Sequence, residues 1–336
     1  MNHDTSSTED FTREEIALRS CLLRQAHPAP DVAGELEAFM QRPDINVRHR
    51  HLTVALRTVA AVAAAALLFI CLRPLLHSNH LHVAKGAVVA YEASSGTADR
   101  QITLQQDDET PQAVSAAQLK QAPASTTTQQ YTIATPQGAI AEVTIADGTT
   151  VWLNAGSRLT YPAQFGGHTR NVTLQGEAYF KVAHDASHPF LVKAGNVTTR
   201  VLGTEFNVRA FSPADTHVTL LEGSVEVTCE RNTKRIAPGE DASIGKSGII
   251  VSETDTERFT AWKEGDFYFD NETLLTIAQE IGRWYNVSVV FNSPEKMHTR
   301  IFFAAPKSSD INEIVDLLHS MGKAQVEYDG HQITIE

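Results

Sequence analysis

The sequence predicts a multidomain chain: a short α-helical head, one membrane-spanning helix, an all-β domain and a C-terminal α+β domain. Three observations predict it. One apolar stretch, Leu52 to Leu76, lies some fifty residues in rather than at the start. After Tyr131, apolar residues alternate with period two between glycine turns, which is the spacing of half-buried strands. Near Ala261 the helical period takes over and alternates with short strands. The expected boundaries are 1–51 for the head, 52–76 for the spanning helix, 77–130 for a linker with weak strands, 131–258 for the β-domain and 259–336 for the last domain.

In the head, Thr12-Arg13-Glu14-Glu15 has the capping-box form, with Phe11 and Ile16 placed as a hydrophobic staple. A helix from Arg13 to Gln25 follows, ended by His27-Pro28-Ala29-Pro30. Asp31 caps a second helix carrying Val32, Leu36, Phe39 and Met40 on one stripe, and Pro43 stops it. So short a segment cannot bury both stripes by itself. Phe11, Ile16, Leu22, Leu36 and Phe39 are therefore candidates for docking on a partner in the helix-in-groove mode. The plainer alternative is a solvated leader before the anchor. Six basic against nine acidic residues in the head argue against nucleic acid as that partner, because such binding neutralises phosphates.

The uninterrupted apolar core, Thr58 to Leu72, is 15 residues, about 22 Å of helix against a hydrocarbon layer of about 30 Å. Arg57 and Arg73 can snorkel to the headgroups, and Leu52 to Leu76 then reaches about 37 Å. A cleaved secretory signal fits less well, since its charged leader would be some fifty residues long. Arg48, Arg50 and Arg57 crowd the N-terminal flank, whereas beyond Arg73 only Lys85 and Arg100 precede a long stretch poor in positive charge. The positive-inside rule puts the head in the cytoplasm and the tail outside it. Cys21, Cys71 and Cys229 fall in three different compartments, so no disulfide framework is expected.

From Ser94 to Gln130 the composition is that of a linker, with weak strands at Ala87 to Tyr91 and Gln101 to Leu104. Beyond it, Val143 and Ile145 lead to Asp147-Gly148, after which Val151 and Leu153 return as a hairpin. Val172, Leu174, Ala178, Phe180 and Val182 alternate across Gly176, and later strands run through Phe206, Val218 and Val225. A sandwich, a jelly roll and a short solenoid all fit this pattern. The last domain reads βαβ-βαββ. Asn271 is placed to cap its first helix, Ser308 or Ser309 to open the second, and Gly322 to close it. Asp329-Gly330 then turns into the terminal strand, Gln332 to Ile335.

No catalytic, metal or cofactor motif emerges. Gly239 to Ser247 has five residues where a phosphate loop needs four, and H-E-x-x-H, G-x-S-x-G and C-x-x-C are absent from the sequence. His77, His80 and His82 read as interfacial polar residues rather than a metal site.

The run TPQGAIAEVTIADGTTVWLNAGSRLTYP, the run VTLQGEAYFKVA, and LGTEFNVRAF with LLEGSVEV resemble the periplasmic domain of FecR-type transmembrane anti-sigma regulators. WKEGDFYFDN, GRWYNV and the final helix and hairpin resemble that family's C-terminal domain, itself similar to the signalling domain of TonB-dependent transducers and secretins. The resemblance implies a single-pass protein of the bacterial inner membrane. Its head would hold an extracytoplasmic-function sigma factor, and its last domain would receive the signalling domain of a TonB-dependent outer-membrane transporter. Periplasmic and membrane-embedded proteases would complete the relay. By the same resemblance, Gly203-Thr204 matches a position of self-cleavage by an N–O acyl shift. A small open sheet can accept a partner strand, and the terminal strand Gln332, Ile333, Thr334 and Ile335 is the first candidate for transporter contact. A membrane-anchored envelope binding or scaffold module with a passive head is the alternative reading.

Overall fold

The computed structural model describes residues 86–94, 101–119, 129–213 and 215–336. The head with Phe11, Ile16, Leu22, Leu36 and Phe39, the expected span 52–76 and the histidine cluster lie outside the described residues. Among the described residues no helix is long and apolar enough to cross a membrane. They belong to one unit, Asn79–Glu336, which holds two hydrophobic cores.

The strands begin before the β-domain proper. β1 is Val88–Tyr91, β2 Thr103–Gln106 and β3 Gln112–Ala113, and a single helical turn α1, Ala116–Leu119, follows. The β-domain continues with β4 (Gln130–Ala134), β5 (Ala141–Thr144), β6 (Thr150–Leu153), β7 (Arg158–Pro162), β8 (Arg170–Lys181), β9 (Phe190–Ala194) and β10 (Val197–Val201). It ends with β11 (Glu205–Ser212), β12 (Asp215–Glu222), β13 (Val225–Cys229), β14 (Asn232–Ile236), β15 (Glu240–Gly245) and β16 (Gly248–Glu253).

β8 organises this domain. Its first half pairs with β7 and, in parallel, with β9. Its second half pairs with β6 and β11. One sheet therefore runs β3-β2-β4-β7-β8-β9-β10-β13-β14 and the other β5-β6-β8-β11-β12-β15-β16. The strand changes sheet at Gly176, where φ is +99° and a Cβ would lie 2.5 Å from Ser157 Oγ and 2.8 Å from its Cα. Only glycine accepts both the backbone angle and that approach. The alternating apolar residues of both sheets meet in one core, with Phe180 stacked on Phe206 at 5.1 Å. Two facing sheets sharing a bent strand make a sandwich-type arrangement.

A 3-10 turn, Thr256–Phe259, and a short helix α2, Ala261–Glu264, lead into the last domain. That domain comprises β17 (Asp266–Thr273), α3 (Leu274–Tyr285), β18 (Ser288–Phe291), β19 (Arg300–Pro306), α4 (Ile311–Ser320), β20 (Val326–Tyr328) and β21 (Gln332–Ile335). The expected caps shift by a few residues. Thr273, not Asn271, caps α3 by accepting from the Thr276 N–H, and Asn271 instead sits in a bulge at φ +50°. Asp310, not Ser308 or Ser309, caps α4 by accepting from Asn312. β17 and β19 form a two-stranded ribbon, and the remaining strands form a sheet in the order β1-β18-β21-β20. The first described strand, β1, thus completes the sheet of the C-terminal domain.

Candidate functional site

The side chains with the most constrained chemistry lie where the β-domain meets the last domain. Glu177 stands just past the β8 bend, and Arg209 and Phe211 stand on β11. Glu280 and Arg283, one turn apart on α3, share a face of that helix, and Lys307 follows β19. Glu177, Glu280, Arg283 and Lys307 are all buried. Glu177 accepts from Asn154 Nδ2 at 2.8 Å and from Asn207 Nδ2 at 2.9 Å. Glu280 accepts from Arg283 at 2.5 Å, and a guanidinium nitrogen of Arg209 lies 3.5 Å away. The Arg283 guanidinium also covers the Phe211 ring at 3.4 Å, and Lys307 Nζ lies 4.5 Å from the Phe267 and Trp284 ring centres.

The two carboxyls are served unequally, and their proton affinities diverge. Burial pushes the Glu177 carboxyl up, and the charge of Glu280 pushes it further, against the opposing pull of Arg209. Burial acts on Glu280 too, yet Arg283, Arg209 and Lys307 together hold it down at about 2. Burial lowers the Lys307 ammonium, opposed by the attraction of Glu280 and Glu177. Asn154, Glu177, Arg209, Glu280 and Lys307 line a cavity of about 40 Å³, together with Trp262, whose buried indole N–H has no protein partner. Such a space takes a water or two rather than a substrate. The arrangement contains no nucleophile paired with a base. What it does is join the domains through charges that become very unfavourable if one side withdraws.

β1 reaches the same junction. It pairs antiparallel with β18, as Val88 with Phe291 and Val89 with Val290, then bulges before Tyr91. The Tyr91 ring lies on Gly282 of α3, where a Cβ would come within 2.7 Å of it. Ala93 N–H donates to Ser288 Oγ and Ser94 N–H to Asn286 Oδ1, each at 3.0 Å.

The Gly203-Thr204 turn connects β10 to β11 on another part of the β-domain. Gly203 faces His184 so closely that a Cβ would lie 2.5 Å from its Nδ1 and 2.7 Å from its Cα. Thr204 is buried and donates to the Ser224 carbonyl at 3.2 Å. Gly223, at φ +96°, packs against Thr204 Oγ and the Gly203 carbonyl.

Two regions of the chain match family models in this same order: residues 131–226 match FecR protein, and residues 266–335 match FecR, C-terminal. The chain belongs to the FecR family. Two crystal structures of a protein from Parabacteroides distasonis, assigned as an anti-sigma factor, share its fold. Identity to this FecR-family chain is 27% and the TM-score 0.57, over 61% of this chain and 98% of that one. No curated protein matches the chain.

Within this FecR-family fold the sequence-derived residues are dispersed. Gln332, Ile333 and Ile335 are buried and Thr334 is half-buried. β21 is a central strand, parallel to β18 on one side and antiparallel to β20 on the other. Strand addition at Gln332–Ile335 is therefore corrected: the last strand in sequence lies inside the sheet and has no free edge. Gly203 and Thr204 share a turn but are not part of the Glu177–Glu280 junction. The junction itself escaped sequence reading. Its one available signal was a cluster of charges, Glu280, Arg283 and Lys307, beside otherwise apolar helix and strand positions.

Proposed function

We propose that this chain is a single-pass inner-membrane anti-sigma factor with its head in the cytoplasm. It relays an envelope signal from a TonB-dependent outer-membrane transporter to an extracytoplasmic-function sigma factor. The observation that carries the reading is the pairing of the two FecR modules in one unit, joined through buried charges. The likeness to a protein assigned as an anti-sigma factor supports a sigma factor as the partner. The receiving module and the membrane-proximal strand share a sheet. A change at the receiver is thus mechanically linked to the stem that leads toward the head, where proteases act.

In this reading Gly203-Thr204 is a self-cleavage site. The Thr204 hydroxyl adds to the Gly203 carbonyl carbon, its proton passes to the Thr204 nitrogen, the C–N bond breaks, and water opens the resulting ester. Thr204→Ala is expected to give one full-length band on a gel where the parent gives two tail fragments, and Thr204→Ser is expected to keep both. One band for parent and variants alike removes self-cleavage from the mechanism.

The function is tested by capture of the cognate sigma factor on the full chain. Leu36→Asp with Phe39→Asp is expected to lower retention at least tenfold, because a charge on the docking stripe opposes helix-in-groove binding. Equal retention, with an unchanged transcriptome on deleting the gene, leaves the anchored scaffold as the better reading.

A further inference from the structure

The sheet of the C-terminal module has one edge that is covered rather than finished. β21 is closed on both sides. β20 has only three residues, and the Val326 N–H is capped by His319 Nδ1 at 3.3 Å. The ribbon β17–β19 is broken by the bulge between Phe269 and Glu272. β18, in contrast, is buried at all four residues, and its outer backbone groups are paired only because β1 lies along them. An unpaired edge of so apolar a strand would itself be a template for strand addition.

β1 is lightly built for that position. It has four residues and one register break, and Val89 is 39% exposed. Its partner strand lies some two hundred residues away in sequence. The contacts that set its register are general ones: Ser288 Oγ and Asn286 Oδ1 accept backbone N–H groups, and Gln279 Nε2 donates to the Ala90 carbonyl at 3.3 Å. Of its side chains, Ala90 and Tyr91 pack on the core of the last domain, and the Tyr91 ring settles in the notch over Gly282.

We propose that the β18 edge is the strand-acceptor site of the C-terminal module, and that β1 holds it in the resting protein. A partner strand displaces β1 and releases the membrane-proximal stem. The partner chemistry follows from the edge: an extended segment with alternate apolar residues and one aromatic ring that settles over Gly282. Binding and release are then one event, since two strands cannot pair with the same edge. The signalling consequence rests on the function proposed above, whereas the exchange of strands does not.

The test uses the full chain in membranes, trypsin acting at Lys85, and a synthetic peptide of residues 86–94, GAVVAYEAS, as the probe. Tyr91→Ala and Gly282→Ala are each expected to raise the rate of cleavage at Lys85 at least tenfold, with the remainder of the tail still resistant. The peptide is expected to raise the parent's rate, and its Tyr→Ala version to leave that rate unchanged. Val89→Cys with Val290→Cys, a register pair, is expected to cross-link on oxidation, slow cleavage below the parent rate and block induction until reduced. Parental rates in both point variants, or induction undiminished in the cross-linked chain, overturns the proposal. If the cleavage results hold while no sigma-dependent transcript responds, strand exchange stands and the function proposed above falls.

Discussion

Glu177 and Glu280 occupy one buried space with opposite tendencies, and this gives the protein a defined response to acid. Glu280 has its folded pKa depressed to about 2, so its contribution is present above the unfolded value near 4.5 and is lost as pH falls through that window. The shift corresponds to roughly 3 kcal/mol at most. Glu177, shifted upward by burial, acts in the other direction: the stability it lends in acid declines as pH rises past the unfolded value. Thermal melts between pH 5 and pH 2 are therefore expected to show a fall in Tm that Glu280→Gln flattens. The same variant is less stable at pH 7 by about 3 to 5 kcal/mol, because Arg283 is left buried without its partner. An unaltered pH slope in that variant would remove Glu280 as the cause. Glu177 shows why such a residue escapes sequence reading. Strand alternation puts Ala178 and Phe180 inside and Glu177 and Tyr179 outside, which holds for the sandwich taken alone. The outward positions are buried all the same, because the last domain and α2 cover them, with Lys263 lying 5.1 Å from the Tyr179 ring centre.

At the scale of elements, β8 is the part the rest depends on, since both sheets are built from it. Gly176→Ala would force a Cβ into the Ser157 backbone at a positive φ. The expected loss is at least about 3 kcal/mol, from overpacking and strain together, visible in urea titration as a lower midpoint. An unmoved midpoint would mean that the bend tolerates a side chain. Most elements were legible from periodicity: the Asp147-Gly148 hairpin, the alternating strands, and the strand and helix order of the last domain each have a local cause. Gly148 at φ +85° and Gly330 at φ +94° sit where their turns need them. The helix starts were less legible. At both, several adjacent polar residues can cap, and the neighbouring strand decides which one is left free to do so. Pairing between distant elements was not legible at all. Val88–Tyr91 reads as a strand, but nothing local in it names β18 as its partner.

For the whole molecule, the two cores behave as one only if the charges between them hold. Arg283→Ala removes both the Glu280 contact and the cover over Phe211. Calorimetry is expected to resolve two transitions in place of one, the β-domain and the last domain melting separately; a single transition at lower temperature would show that other contacts suffice. The proposed span adds a prediction at the same scale. Converting Ala63 through Ala66 to leucine should anchor the helix more firmly and blunt induction while the tail stays folded. Unaltered induction would make that stretch an anchor only.

The pairing of Val88–Tyr91 with Ser288–Phe291 also sets an order of events in time. β1 is made early, and the strand that holds it emerges some two hundred residues later. At about 5 to 20 residues per second, an interval on the order of 10 to 40 seconds separates the two. Until then the young chain carries an unsecured stem, however well its sandwich has formed. Chains that stop before Ser288 never leave that condition, because β1 then has no strand to pair with.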